Sequence, residues 1–429
     1  MKLLVKSGHV VDPKSDFSDI CDILTENGII VKMGRDLHEE ADDLIDAAGK
    51  YVIPGLVDCH CHLRDPGYEY KEDIATGTRS AAAGGFTSIA CMPNTNPVAD
   101  NQAVLSYISE TASRKGVVNV FPIGAITKGQ QGKELADIGE LKFAGAVGIS
   151  DDGNPVENSM VMLRALQYSS AFNIRVISHC EDKSLTDGGV MNEGYYSTVM
   201  GLRGVPAVSE SVMVSRDLLL SEYTGIPIHI AHVSTEMSVN LIRNAKKRGV
   251  KVTCETCPHY FSLDESACSD FNTMAKVNPP LRSEKDVNAI IEGLKDGTID
   301  IIATDHAPHH MDEKNVEFNL AANGITGFET ALPLAIAYLV KKGHLTMEQL
   351  VKKMCCNPAN MLGIRKGTLE VGGAADIAIV DVNEEYTVDT SKFISKGKNS
   401  PFNGFKLYGK PSYTIVGGKI VVRDKKLMV

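Results

Sequence analysis

No stretch of the 429-residue chain approaches the ~18 consecutive apolar residues that a membrane-spanning helix needs, so no insertion into a bilayer is expected. The N-terminus, MKLLVKSGHVVDP, has only three apolar residues between Lys2 and Lys6 and no small-residue cleavage site after them. It does not read as a secretory leader, and the chain is expected in the cytoplasm. A basic excess is missing too: 44 Lys and Arg stand against 54 Asp and Glu, a net charge of −10. That balance argues against nucleic acid or a membrane surface as partner, while a small anionic substrate stays open if positive charge is gathered locally. Nor is there a cysteine framework. The 10 cysteines are scattered through apolar runs, as expected of buried thiols in a reducing compartment. Cys254 and Cys257, in CETC, have redox spacing but lie in the strand-like VKVTCETCPHYF, where residues three apart point to opposite faces. Cys355 and Cys356 fall in a helix-like segment and read as packing.

What is present is ordinary in amount, with 43% hydrophobic and 23% charged residues, and informative in arrangement. At about 150 residues per domain the length allows two or three units, or one large barrel with an accessory. Residues 1–54 and 365–429 share one texture of short alternating runs with turn signals, including Asn27-Gly28 as a hairpin turn. Neither end has enough strands for a core of its own, so the two are expected to pair into one small β-sandwich domain with residues 55–364 inserted between them. The inserted region alternates β-branched runs with amphipathic segments. Its candidate strands are Leu56–His62, Ser88–Met92, Asn119–Ala125, Ala144–Ser150, Arg175–His179, Pro227–Val233, Lys251–Thr256 and Asp300–Ala303. Eight such units are the arithmetic of an α/β fold of the (β/α)8 TIM-barrel type. A doubly wound sheet is the alternative, and both folds place ligands beyond the carboxyl ends of their strands.

Those ends carry a constellation: His60 and His62 on the first strand, Asp151 and Asp152 after the fourth, His179 on the fifth, His232 on the sixth and Asp305 after the eighth. Residues i and i+2 of a strand share a face, so His60 and His62 form a two-imidazole clamp while Cys59 and Cys61 look the other way. His229, three residues from His232, is expected on the opposite side and in a structural role. Imidazole nitrogen and carboxylate oxygen suit zinc, or manganese or cobalt in its place. Four histidines and two strand-end aspartates, Asp305 and one of the Asp151–Asp152 pair, exceed the needs of one catalytic zinc, whereas two divalent ions sharing a bridging carboxylate and hydroxide would use all six. Arg64, two residues past His62, brings a guanidinium to the same edge if the strand continues; the other reading is a structural pair with Asp65.

VDCHCHLRDPG, MPNTNP, SDDGNPV, SHCED, HIAHVST, TCPHYF, KVNPPLR and ATDHAPHH, in this order and spacing, resemble the amidohydrolase superfamily and most closely its dihydroorotases of the bacterial class I type. The likeness runs over nearly the whole chain. It implies a metal-dependent cyclic amidohydrolase that interconverts N-carbamoyl-L-aspartate and L-dihydroorotate in pyrimidine synthesis. It assigns His60, His62 and Asp305 to one metal and His179 and His232 to the other, with Asp152 as bridge and zinc as the expected ion. A metal-bridging hydroxide is then the nucleophile and Asp305 the general acid/base. Many relatives bridge with a carboxylated lysine on the fourth strand; this chain has aspartates there, which weakens a hydantoinase reading, and the choice of Asp152 over Asp151 is the family's. Two divalent cations offset by Asp152, Asp305 and hydroxide leave roughly +1, to which Arg64 adds. The resemblance further implies that Arg64, Asn94, Asn278, His309, Asn323 and Gly324 contact substrate, with His306 and His310 as bystanders. It implies a homodimer and is compatible with association with aspartate transcarbamoylase. The alternatives are a hydantoinase or allantoinase, and a catalytically silent scaffold.

Overall fold

Short β-branched runs separated by amphipathic helices cannot bury both faces alone, and a parallel sheet flanked by those helices is the packing that satisfies both. The computed structural model describes residues 1–428, and in it the eight central runs form one parallel sheet. Its strands are β1 (Leu56–Cys61), β2 (Phe86–Cys91), β3 (Asn119–Gly124), β4 (Gly148–Ser150), β5 (Arg175–Ser178), β6 (Ile228–Ile230), β7 (Val252–Thr256) and β8 (Ile301–Ile302), paired in that order. The sheet closes on itself. Cys61 bridges His306, His62 N donates to His306 O at 2.9 Å, and Thr304 N donates to Asp58 Oδ1 at 2.9 Å. The architecture is thus a (β/α)8 barrel, and the doubly wound alternative is excluded by this closure.

Two apolar layers hold it. Val57, Cys59, Ala90, Ile123, Ile177 and Ile301 fill the interior, while Leu56, Ile89, Ile149, Val176 and Ile228 face the helices. The helix Glu236–Lys247 shows how a flanking element is specified: Thr235 caps its first turn, Val239, Ile242 and Ala245 line one buried face, and Lys246 and Lys247 sit in the last turn where cations are favoured. Fourth-strand pairing begins only at Gly148, because Ala144 is the cap of the helix Ile138–Phe143 and Gly145 turns with φ of 99°.

Strands from both chain ends form a second sheet. Lys2–Asp12 pairs with Phe17–Glu26, which pairs with Ile29–Gly34; Tyr51–Pro54 pairs with Ile377–Val380, and Pro411–Val416 and Lys419–Arg423 follow. Its strands wrap around a core of their own that includes Val5, Ile23, Ile30, Val52, Ile377 and Ile415. Residues Glu385–Thr387 and Lys406–Tyr408 form a separate ribbon, and Phe402 and Leu407 pack with Cys257 and Tyr260 of the barrel. Among the described residues no helix is long and apolar enough to cross a membrane.

Asn27 (φ 50°) and Gly28 (φ 86°) make the tight turn between Phe17–Glu26 and Ile29–Gly34, both central residues having the positive φ a type I′ turn requires. A Cβ on Gly28 would lie 2.8 Å from the carbonyl oxygen of Gly417. Gly28→Ala is expected to cost about 1 kcal/mol or more of stability, read as a lowered unfolding midpoint with catalytic parameters unchanged.

Candidate metal centre and substrate cavity

The barrel brings all six proposed ligands to one place. His60 is the penultimate residue of β1 and His62 follows the strand, Asp152 is two residues past β4, His179 directly follows β5, His232 is two past β6, and Asp305 three past β8. Asp152 sits in the middle: Oδ1 lies 3.4 Å from His60 Nε2, 3.5 Å from His179 Nδ1 and 3.3 Å from His232 Nε2, and Oδ2 lies 3.5 Å from His62 Nε2. Asp305 Oδ1 is 3.1 Å from His62 Nε2 and 3.6 Å from His60 Nε2. Donors bound to zinc at 2.0–2.1 Å in a tetrahedron lie roughly 3.3 Å apart, so these separations fit a shared cation. His60 Nε2 fits as well, being fully buried and without a hydrogen-bond partner. An orphaned imidazole nitrogen facing two carboxylates is a donor set that wants a cation.

The second nitrogen of three of these rings is already engaged. His60 Nδ1 lies 2.6 Å from Glu255 Oε1, His62 Nδ1 lies 2.9 Å from Asn94 Oδ1, and His179 Nε2 lies 3.0 Å from Glu181 Oε2. These bonds fix which nitrogen each ring presents to the cluster. Burial opposes charge on His60, yet the carboxylates of Asp152 and Glu255 hold its pKa well above the ordinary value. Burial likewise works against Glu181, but the His179 hydrogen bond and charge outweigh it and bring it to about 2.

Glu255 and Glu181 are the residues in contact with the cluster that sequence reasoning missed. The signal for Glu255 was a lone acid in the apolar strand VTCET, where the neighbouring cysteines drew attention instead. For Glu181 it was the i+2 position from His179. Glu255 is the buried hub of a network: Oε2 accepts from Cys59 Sγ at 2.8 Å and lies 3.1 Å from His229 Nε2, whose Nδ1 lies 2.8 Å from Oγ1 of the half-buried Thr253.

Two expectations about faces are corrected here. Cys59 does not look away from the clamp, because a register shift between Asp58 and Cys61 breaks the alternation and leaves both Cys59 and His60 inside the barrel. His229 does not face away from the site either. Strand parity points it inward one layer below the ligands, and His232 swings in to join it because its backbone takes φ of 31° after β6 has ended. Arg64 (φ 61°) and Asp305 (φ 43°) share that left-handed conformation, so Arg64 reaches the cavity from a turn and not from a continued strand. Backbone strain is thereby concentrated at the centre.

Asp151 is turned elsewhere: its Oδ1 accepts from Ile126 N at 2.8 Å and Thr127 N at 3.1 Å. His306 is buried, stacks on Phe328 with ring centroids 4.0 Å apart and accepts from Gly327 N, while His310 is exposed.

A cavity of about 220 Å³ opens over the cluster, lined by Asp152, His179, His232 and Asp305 and also by all six residues expected to contact substrate. Arg64 makes no ion pair among the described residues; Asp65 instead accepts from Tyr107 Oη at 3.0 Å. Arg64 Nη2 lies 3.2 Å from His309 Nε2, which lies 2.9 Å from Asn323 O. Asn278 Nδ2 donates to Glu181 at 3.3 Å. Gly324 has its N–H on Lys276 O at 2.9 Å, so it shapes the wall more than it binds. The charge balance also changes. Glu181 and Glu255 add two carboxylates beside the ligands, so the centre is less positive than a count of Asp152 and Asp305 predicts, and attraction for an anion falls to Arg64.

Residues 49–238 match the family model described as dihydro-orotase-like, and residues 284–422 match the amidohydrolase family. A dihydroorotase of Acetivibrio thermocellus is 71% identical over 426 residues, covering 99% of this chain and 100% of that protein. Dihydroorotases of Ruminiclostridium cellulolyticum and Geobacter metallireducens are 65% and 56% identical, each over at least 99% of both chains. Among solved structures, an L-hydantoinase of Arthrobacter aurescens superposes with a TM-score of 0.89 at 30% identity, covering 100% of this chain and 97% of that one.

If Glu255 orients His60, Glu255→Gln should weaken divalent-metal affinity about 10- to 100-fold. Chelator competition on the folded variant checks this, with circular dichroism confirming an unchanged barrel.

Proposed function

The chain belongs to the dihydroorotases of the amidohydrolase superfamily, and on that premise we propose that its strand-end cavity interconverts N-carbamoyl-L-aspartate and L-dihydroorotate, a step of pyrimidine (UMP) synthesis. One observation carries the reading. The histidine–aspartate cluster and an arginine without an acidic partner open on the same small cavity. A cyclic amide that bears a carboxylate is the substrate that uses both.

Arg64 pairs with the substrate carboxylate through its guanidinium. Asn94 has its Oδ1 on His62, which leaves its Nδ2 to donate to the same carboxylate. Asn278 and His309 border the ring, and Asn323 and Gly324 wall it. His60, His62 and Asp305 on one side, and His179 and His232 on the other, would hold two divalent ions with Asp152 between them, and such ions, which we take to be zinc, acidify a water and polarise the amide carbonyl. Asp305 moves the proton. Its Oδ1 faces His60 and His62, and its other oxygen takes a proton from the attacking water and delivers it to the ring nitrogen as the C–N bond breaks. In the closing direction the same oxygen removes the proton from the carbamoyl nitrogen.

The same membership supports a cytoplasmic homodimer. We take residues 55–364 as the catalytic unit and residues 1–54 with 365–429 as the accessory one, a division supported by the pairing of Tyr51–Pro54 with Ile377–Val380. A hydantoinase or allantoinase is the second reading, favoured by the likeness to solved hydantoinases. Their rings lack the carboxylate that Arg64 invites.

Zinc-loaded protein is expected to open L-dihydroorotate at least about 100-fold more efficiently than hydantoin or allantoin, the scale of one lost charge-assisted contact; preference for either of the latter overturns the assignment. Arg64→Gln should raise KM for L-dihydroorotate about 10- to 100-fold with a smaller change in kcat. Asp305→Asn should lower kcat by about two to four orders of magnitude, with metal content measured on the same sample to separate proton transfer from ligand loss.

A further inference from the structure

The loop from Phe318 to Gly324 walls the cavity through Asn323 and Gly324. Loops ordinarily leave their carbonyl oxygens to water. Here five carbonyls of this one loop are turned onto two buried lysines. Lys276 Nζ donates to the oxygens of Phe318 (2.7 Å), Asn319 (3.2 Å) and Ala321 (2.7 Å). Lys314 Nζ donates to those of Ala322 (2.8 Å) and Gly324 (3.1 Å) and to that of Lys276 itself (3.3 Å). An ammonium has three N–H groups, and each of these finds three carbonyls.

Burial of this kind is costly. Lys276 is 4% exposed and Lys314 0%, and neither has an ion pair among the described residues. Lysines this deep are rare unless paired, because desolvating an ammonium is paid back only by strong local partners. The titratable groups facing the pair are each other, the Cys268 thiol, itself pushed up to about 12 by burial, and His309, which burial and the nearby charges of Arg64, Lys71 and Lys314 lower to about 3. Burial lowers Lys276 to about 8 and Lys314 to about 7. If their purpose were only to fill space, an apolar residue would do so at lower cost. What an apolar residue cannot do is gather carbonyl dipoles.

The loop they gather reaches the substrate side of the cavity. Gly324 holds φ of +132°, and a Cβ there would lie 2.7 Å from Ala307 Cβ. Asn323 O lies 2.9 Å from His309 Nε2, which lies 3.2 Å from the Arg64 guanidinium. That nitrogen can donate to Asn323 O or accept from Arg64, not both at once, so a shift of the loop would change what Arg64 meets.

We propose that Lys276 and Lys314 are positioning residues, a two-ammonium clamp that fixes the 318–324 loop as the specificity wall of the cavity and, through Asn323, sets His309 and Arg64 for the carboxylate-bearing ring. The role of that wall rests on the dihydroorotase reading; the clamp itself does not. Neither lysine lines the cavity.

The test compares full-length, zinc-loaded Lys314→Met and Lys276→Met with wild type in two ways. Hydrogen exchange without substrate is expected to speed up over the 318–326 amides by about tenfold or more while the barrel strands keep their protection. KM for L-dihydroorotate should rise about tenfold or more with kcat within about threefold and metal content unchanged. Unchanged loop exchange, exchange that rises equally in the barrel, or an equal loss in kcat with KM unmoved each overturn the clamp. Should the variants not fold, wild type carries the test alone. As pH rises through about 7 to 8 each amine keeps two N–H groups for three carbonyls, so loop protection factors should fall while those of the barrel stay level, and a flat profile overturns the proposal. Failure of wild type to open dihydroorotate would defeat the functional reading and leave the exchange result to decide the clamp.

Discussion

The Asp152 carboxylate, set 3.3–3.5 Å from nitrogens of four buried imidazoles, is the constraint around which the molecule is arranged. Four rings and two acids cannot be packed together in a dry interior unless their charges are balanced by something. A divalent cation of the kind the amidohydrolase family implies would do that balancing, and the elements around the cluster position the donors for one. The barrel supplies convergence, since its strand ends all point to one mouth. The closing contacts between Asp58 and Thr304 bring the last strand against the first, and Asp305 comes to rest beside His62 because of them. Glu255, Asn94 and Glu181 then hold three of the rings from behind.

Much of this was legible in the residues. Periodicity sufficed for eight strands in order, and Asn27-Gly28 announced its hairpin because only a turn with two positive φ values suits that pair. The convergence of His60, His62, His179, His232 and Asp305 could be anticipated because a barrel leaves strand ends nowhere else to go, while Asp152 in place of Asp151 came from the family resemblance. What alternation could not foresee was its own interruption. The register shift in β1 and the left-handed backbone at His232 each reverse the side on which a residue falls, and both depend on pairing across the sheet, not on local pattern. Glu255 escaped notice for a related reason. A single acid in a strand looks like a blemish until the histidines of two other strands are placed next to it. The lysine pair was invisible for the same cause, since its partners are carbonyl oxygens and every sequence has those.

The site divides its labour by depth. The layer of Cys59, His229 and Glu255 is closed to solvent, the proposed ligands lie above it, and the loops after the strands wall the cavity. The fold is shared with an L-hydantoinase at 30% identity, whereas a dihydroorotase matches this chain at 71%.

The pairing of Tyr51–Pro54 with Ile377–Val380 has a bearing on how the chain is made. More than 300 residues separate the two partners, and every proposed ligand lies between them. On the ribosome the barrel would be complete before the accessory sheet could be, leaving an unpaired apolar edge exposed until the last tenth or so of the polypeptide emerged. A nascent molecule of this kind depends on whatever shields that edge while translation finishes.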